Sequence, residues 1–237
     1  MWDSLTGTGY PIPHMQVSII IPVLNEGSII SESLQALQSF RQQGHEVIVV
    51  DGGSEDDTVA RSRPLADRVV ESVRGRARQM NAGAAVARGD VLVFLHSDTR
   101  IPFDLVAVLT EAIGASVSWG RFDVRLSGSR PLLRVVEFFM NLRSRLTGIA
   151  TGDQAIFCTR DLFHRVGGFP EIALMEDIAL STVLRKQVSP LCLKHRVITS
   201  SRRWEEHGIF RMVLKMWCLR LAYFLGADPG VLARIYR

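Results

Sequence analysis

Cysteine is scarce in this chain. Three occur among 237 residues, Cys158, Cys192 and Cys218, scattered and with no C-x-x-C pair. That spacing excludes a disulfide framework and a zinc ribbon. It suits a reducing cytoplasm, and the apolar neighbours of all three predict small hydrophobes packed inside. Long apolar runs are missing as well: nothing reaches the roughly 18 uncharged residues that a membrane span needs. The nearest stretch, 209–225, is interrupted by Arg211, Lys215 and Arg220. Residues 1–15 have neither the basic start nor the apolar core of a signal peptide and read as a tail. Low-complexity tracts, internal repeats and long linkers are absent. The net charge of +4 is too mild to select among nucleic acid, anionic membrane and phosphorylated substrates. No nucleic-acid motif or gathered basic patch accompanies it, so no nucleic-acid partner is expected. What is present, 47% hydrophobic and 22% charged residues, suits one large α/β domain. A chain of this length buries roughly 70–75% of the surface its unfolded form exposes.

The first half alternates between two periodicities. Apolar strand-like runs at 17–22, 46–50, 68–72 and 91–95 are separated by segments with helical spacing at 28–43, 76–88 and about 102–115. Gly44 and Gly89 read as helix stops, and Ser54 with Asp57 reads as an N-cap with an acidic first turn. Alternation of this kind predicts βαβ units and a largely parallel sheet covered on both faces. The second half is more mixed. Residues 118–126 alternate like an exposed or mixed strand, 131–146 like a helix, and 155–158 like a short strand. A helix near 161–166 is broken by Gly167-Gly168-Phe169-Pro170; another follows at 178–185, then a last strand at 191–198.

Acids cluster where these strands end. The first run leads to Asn25-Glu26, the second to Asp51-Gly52-Gly53, and the fourth to His96-Ser97-Asp98. Ligands of open parallel sheets bind outside the carboxyl ends of the strands. Three such ends bearing acids therefore read as one site, suited to a metal and a phosphorylated ligand. Any one aspartate after a strand equally reads as a cap for the next helix. The order of the whole set carries more weight.

That set, from Pro22-Val23-Leu24-Asn25-Glu26 through Asp51-Gly52-Gly53-Ser54, Asn81-Ala82-Gly83, Leu95-His96-Ser97-Asp98, Gly152-Asp153-Gln154 and Glu176-Asp177 to Arg203-Trp204, resembles the family 2 glycosyltransferases. More narrowly, it looks like their small bacterial branch associated with radical-SAM and selenium-domain proteins. The resemblance implies a GT-A three-layer α/β/α sandwich over 16–208, with a mostly parallel Rossmann-like sheet and a mixed C-terminal half. A tail at 1–15 and an amphipathic helical extension at 209–237 flank it. It implies inverting transfer from a nucleotide-sugar donor, uridine-linked by preference, to an unknown acceptor hydroxyl. Pro22, Asn25, Glu26, Asp51, Gly53 and Ser97 would meet the nucleotide, with Asp51 accepting hydrogen bonds from the base. Asp98 corresponds to the last acid of the family's Asp-x-Asp motif and would hold Mn²⁺ or Mg²⁺. Asp177 aligns with the catalytic base beside Glu176, and a helix N-terminus there favours its ionised form. Gly152, Asp153 and Gln154 would line the sugar or acceptor pocket.

The chain departs from that pattern at three places. His96 stands where the motif has its first aspartate, and it reads as a core or solvated histidine before a ligand. Met80 replaces the arginine expected before Asn81, leaving Arg76 and Arg78 either to serve phosphate or to form a solvated helix face. Ser200 replaces the glutamine of the terminal signature, in which Arg203 would pair with the diphosphate and Trp204 would wall the acceptor site. His207 reads as a further metal ligand or as an exposed loop histidine. In 209–225, Ile209, Phe210, Val213, Leu214, Trp217, Leu221 and Phe224 form an apolar stripe. Packing against the domain or a second subunit is the commoner fate of such a stripe. Contact with an anionic membrane carrying a lipid-linked acceptor is the other, and would place the protein at the inner face of that membrane. Two competing readings remain. A nucleotidyltransferase of sugar nucleotides would need a glycine-rich basic loop after the first strand, which 22–26 lacks. A nucleotide-sugar-binding protein with weakened catalysis would explain His96.

Overall fold

The computed structural model describes residues 15–114 and 118–236. Of the expected N-terminal tail only Met15 is among them. The chain opens with β1 (Val17–Val23), every residue of which is buried. Its alternate side chains feed two different cores. Ile19 and Ile21 join Val47 and Val49 under Ile30, Leu34 and Leu109, while Ile20 joins Ile48 and Val50 under Ala77, Met80 and Ala84. A strand buried on both faces with helices above and below is the signature of a three-layer sandwich.

The helix expected over 28–43 is two: α1 (Ile30–Gln35) and α2 (Gln38–Gln42), broken at Ala36 and Leu37. The break lets Leu37 and Phe40 both reach the core. β2 (Glu46–Asp51), α3 (Thr58–Ser62), β3 (Arg68–Glu71), α4 (Arg76–Val86) and β4 (Val91–Phe94) complete the alternating half. Strands β3, β2, β1 and β4 lie side by side and parallel. Gly89 is not a helix cap. It lies where a Cβ would come within 2.6 Å of the Ser18 nitrogen, so it lets the chain cross β1 closely.

The remaining elements are β5 (Thr99–Arg100), α5 (Leu105–Gly114), β6 (Trp119–Leu126), α6 (Pro131–Thr147), a 3-10 turn at Gly152–Gln154, β7 (Ile156–Thr159), α7 (Arg160–Arg165), α8 (Glu176–Gln187), β8 (Leu191–Thr199), α9 (Arg202–His207), α10 (Ile209–Phe224) and α11 (Pro229–Tyr236). The sheet order is β3-β2-β1-β4-β7-β6-β8-β5. β7 runs antiparallel to both β4 and β6, β6 pairs parallel with β8, and β5 adds an antiparallel edge. The fold is thus an α/β sandwich with a parallel half and a mixed half, as expected.

β6 is mixed but not exposed. Trp119 and Phe122 are fully buried, and so is Arg121, whose guanidinium bonds Asp123, the Ser144 hydroxyl and the Asn141 carbonyl. Asp123 also takes Arg145 at 2.6 Å. That network pins α6 onto the sheet. Of the cysteines, Cys158 is buried and its thiol is pushed up to about 12 by that burial. Cys218 is exposed, against expectation, because it lies on the outer side of α10.

The apolar stripe of α10 does not pack against the domain along its length. Only Ile209, Met212 and Leu219 are buried; Ile209 joins a satellite cluster with Leu133 and Val136 of α6, and Leu219 joins another with Ile149 and Ile178. Phe210, Leu214, Trp217, Leu221 and Phe224 point away from the protein.

Candidate active site at the carboxyl edge of the sheet

Because β1 lies between β2 and β4, the loops leaving all three strands emerge on one edge. Two strand spacings, about 10 Å, separate β2 from β4. The loops after β1 and β2 are bonded to each other. Asn25 donates its backbone N–H to the Ser54 hydroxyl at 2.9 Å, and its side-chain oxygen accepts from Glu55 N at 2.8 Å. Glu26 N donates to the Thr58 hydroxyl at 2.8 Å, and Gly27 N to Asp56 at 2.9 Å. Asp56, not Ser54, meets the free N–H of Thr58 at the start of α3. Ser54 is occupied with Asp51, whose carboxylate also accepts the N–H groups of Gly53 and Ser54 at 3.0 and 2.9 Å. Asp51 is therefore a buried, satisfied acid that shapes the loop carrying Gly53. Pro22 is buried inside β1. Behind both strands Gln79 donates to the carbonyls of Val23 and Val50.

The loop after β4 carries His96, Ser97 and Asp98. Ser97 is buried and its carbonyl accepts the Ser33 hydroxyl, which anchors the loop to α1. Asp98 is exposed. The half-buried Glu26 feels it: burial first, then the Asp98 carboxylate, push the Glu26 carboxyl above its ordinary range against the pull of Arg202, Arg203 and Arg76. His96 faces the other way. Its Nδ1 is 3.5 Å from a carboxylate oxygen of Asp153. Crowding around Asp153 works toward the neutral acid, yet the bond and charge of His96, then Arg76 and Arg203, hold that carboxyl below its usual value.

Asp153 lies in the 3-10 turn, and its neighbour Gly152 ties the β4 edge to α8. A Cβ on Gly152 would meet the His96 ring at 2.5 Å, so any side chain there would displace the imidazole. The Gly152 N–H donates to Asp177 Oδ2 at 2.9 Å, and the Ile178 N–H to Oδ1 at 2.7 Å. Each carboxylate oxygen is thus oriented by one donor and keeps acceptor capacity. Glu176 is buried beside it. Burial and the Asp177 charge raise its carboxyl above the ordinary range, partly offset by Arg76. Arg76, His96, Gly152, Glu176 and Asp177 line one pocket of about 310 Å³ including its open mouth, with Met80, Phe94 and Phe169 as an apolar wall. Among the described residues the non-glycine residues with left-handed backbones are Asn25, Ala155 and Met175, which all adjoin this region, Met175 immediately before Glu176. Local strain of that kind concentrates at functional sites.

Several expected residues take other places. Arg78 pairs with Glu171 on the surface at 3.0 Å, leaving Arg76 as the cation of the pocket. Gln154 is fully buried, bonded to Thr151 and Asn141, and holds the turn rather than offering itself to a ligand. Trp204 packs with Leu133, Val136 and Ile209 instead of lining the pocket. Arg203 stays near, its charge acting on both Glu26 and Asp153, and it bonds the Tyr236 hydroxyl at 2.8 Å. His207 is an exposed residue at the end of α9, its Nδ1 3.2 Å from the Arg203 carbonyl. Sequence reasoning missed Arg143 and Arg220. Both act electrostatically on Asp177, and burial with the Arg220 charge pushes Arg143 down to about 10.

Among the described residues no three His, Cys, Asp or Glu side chains converge as a metal cage. An open site contributing one exposed carboxylate, Asp98, with Glu26 near it nevertheless fits a hard cation. Mg²⁺ and Mn²⁺ commonly take one or two protein carboxylates and complete their shell with phosphate and water. The Asp98 repulsion, which adds to burial in lifting Glu26, is what such a cation would relieve.

An acid-edged cleft on this α/β/α sandwich defines the GT-A class of fold. A solved mannosyltransferase from Pyrobaculum calidifontis, in complex with GDP-Man and Mn²⁺, matches it with a TM-score of 0.66 at 21% identity, over 94% of this chain and 69% of that one. Residues 18–169 match the model of glycosyl transferase family 2, and the chain belongs to that family. It is 34% identical over 164 residues to an uncharacterised glycosyltransferase of Mycobacterium tuberculosis, covering 65% of this chain. The chain spans 62% of the length of that relative. It is 30% identical to the dodecaprenyl-phosphate galacturonate synthase of Rhizobium johnstonii, covering 96% of this chain and 73% of that protein.

Proposed function

We propose that this chain transfers a sugar from a nucleoside-diphosphate sugar to an acceptor hydroxyl with inversion, Asp177 serving as the base. The observation that carries the reading is the placement of Asp177. It stands at the N-terminus of α8 in a pocket with Arg76, its two oxygens oriented by the N–H groups of Gly152 and Ile178. In a single displacement the acceptor O–H gives its proton to Asp177 as its oxygen bonds the anomeric carbon. The bond from that carbon to the diphosphate oxygen breaks, and the nucleoside diphosphate leaves with the electron pair. Glu176 stands beside the base, its carboxyl raised above the ordinary range by burial and by the Asp177 charge and offset in part by Arg76. Arg76, Arg202 and Arg203 supply the positive charge that a departing diphosphate needs. The 51–58 and 22–27 loops form the shelf for the nucleoside.

Asp98 and Glu26 would hold the divalent ion. Bound there, it would neutralise the leaving diphosphate. The relative crystallised with GDP-Man and Mn²⁺ supports both donor class and ion. His96 acts through Asp153, which it holds ionised and turned toward the sugar.

Asp177→Asn is the direct test. Titration calorimetry with UDP, GDP and Mn²⁺ identifies the nucleotide, and donor turnover is then followed. The variant is expected to bind the nucleotide within a few-fold of the parent and to lose roughly 10²–10⁴-fold in turnover, the range of a general base. Binding without any turnover that depends on Asp177 would instead support a nucleotide-sugar-binding protein.

A further inference from the structure

The outer side of α6 and α10 is apolar where a water-facing surface should be polar. Phe210, Leu214, Trp217, Leu221 and Phe224 recur along α10 at helical spacing and are each 61–78% exposed. On α6, Phe138, Phe139, Leu142 and Leu146 make a second exposed stripe. On both helices the stripe lies opposite the residues turned inward, Met212 and Leu219 on α10 and Leu133 and Ser144 on α6. The helices pack side by side through Leu133, Val136 and Ile209, so the two stripes look out together. Contiguous apolar surface of this extent marks an interaction site.

The charges decide the occupant. Helices α6, α10 and α11 carry seven Arg and Lys side chains against one acid, Glu137, which is buried beside Arg134. Arg143 and Arg220 turn inward toward Asp177 and Arg145 pairs with Asp123, which leaves Arg134, Arg211, Lys215 and Arg234 to face outward with no exposed acid on these helices. A second copy docked on the same face would set two cationic surfaces against each other with no exposed acid on these helices to meet them. An anionic lipid surface complements both features, apolar side chains entering the acyl boundary and cations resting among headgroups. No helix of the described residues is long and apolar enough to cross a membrane, so α10 would lie in its plane.

We propose that the α6–α10 face seats this protein on an anionic bilayer. The seat adjoins the site already described: Arg143 of α6 and Arg220 of α10 both act on Asp177. That the acceptor is an amphiphile drawn from this interface rests on the transferase reading; the docking itself does not.

Flotation of the full chain with vesicles tests the docking. One set is phosphatidylcholine alone and the other an equimolar mixture with phosphatidylglycerol. The protein is expected to float with the anionic vesicles, more weakly as salt is raised, and poorly with the neutral ones. The double substitution Trp217→Glu with Leu221→Glu alters only exposed side chains, and circular dichroism checks its fold. It is expected to weaken partitioning by roughly tenfold for each side chain withdrawn from the interface. Failure of the parent to float, or a variant that floats as well as the parent, overturns the proposal. So does a parent dimer, seen by light scattering, that the double variant converts to monomer, because a second copy then covers the face. No donor or acceptor is present, so a failed flotation leaves the transferase reading standing, and lost turnover leaves the docking standing.

Discussion

At the level of single residues the adjacent acids of α8 divide their work by environment. Asp177 is oriented by two backbone donors, whereas Glu176 is buried and lifted by that burial and by the Asp177 charge. A carboxyl whose folded pKa is raised binds its proton more tightly in the folded state. The stability it contributes is full below the unfolded value near 4.5 and is lost as pH rises through the folded value. At neutral pH a buried charge therefore weighs against the fold. Glu176→Gln removes that charge and keeps the shape. Its melting temperature is expected to exceed the parent's at pH 8 by roughly 2–4 °C, the shift that about 1 kcal/mol produces in a domain of this size. Near pH 4 the two should melt together. A thermal scan across pH reads both, and a difference that grows toward low pH would contradict the assignment. The pair was legible in the sequence because acids before an apolar helical run stand out. The His96–Asp153 contact and the cations Arg143 and Arg220 were not, since each gains its meaning from partners far away in the chain. Asp51 was legible as a site acid, but not as one already bonded to Ser54 and Gly53.

Among the elements, β1, β2 and β4 were read to within a residue at either end, because a strand buried on both faces has no polar alternation to blur its ends, whereas the two-residue edge strand β5 was not read at all. The helices were read less well. Nothing in the spacing of 28–43 marks the break at Ala36 and Leu37, which arises from fitting two short helices over β1. Nor does an apolar stripe say which way it faces: α10 turns its larger stripe outward and buries Met212 and Leu219 instead. β6 hid a different feature. Its alternation looked exposed because Arg121 and Asp123 are charged, yet Arg121 is fully buried and its charge is met by Asp123. Removing one partner of a buried pair leaves the other uncompensated. Asp123→Ala is expected to cost about 3 kcal/mol in urea unfolding, at the low end of that range because Ser144 and Asn141 still bond the guanidinium. Arg145, the partly exposed partner of Asp123, should matter far less, with Arg145→Ala costing about 1 kcal/mol or less. Equal costs would mean that the network acts as a surface pair.

For the whole molecule, the sheet order brings together loops that are remote in sequence, and that convergence was the main inference available before any coordinates. It gathers Glu26, Asp98, Asp153, Glu176 and Asp177 with Arg76 and Arg203 along one edge. So many acids so close together repel one another, and the Glu26 carboxyl is raised by burial first and by the Asp98 charge second. A divalent cation and a diphosphate together would relieve the repulsion, each alone only in part, so their binding should be mutually dependent. Ligand that binds only the folded state at a hundred times its Kd adds about 2.7 kcal/mol. For a protein of this length that raises the melting temperature by roughly 5–11 °C. Nucleoside diphosphate with Mn²⁺ is expected to give a shift of that order, nucleotide with chelator or Mn²⁺ alone much less. Asp98→Ala should remove most of the shift that Mn²⁺ adds while leaving the melting temperature without ligand near the parent's, because Asp98 is exposed. A nucleotide shift indifferent to both chelator and Asp98 would mean that arginines alone hold the diphosphate in this cleft.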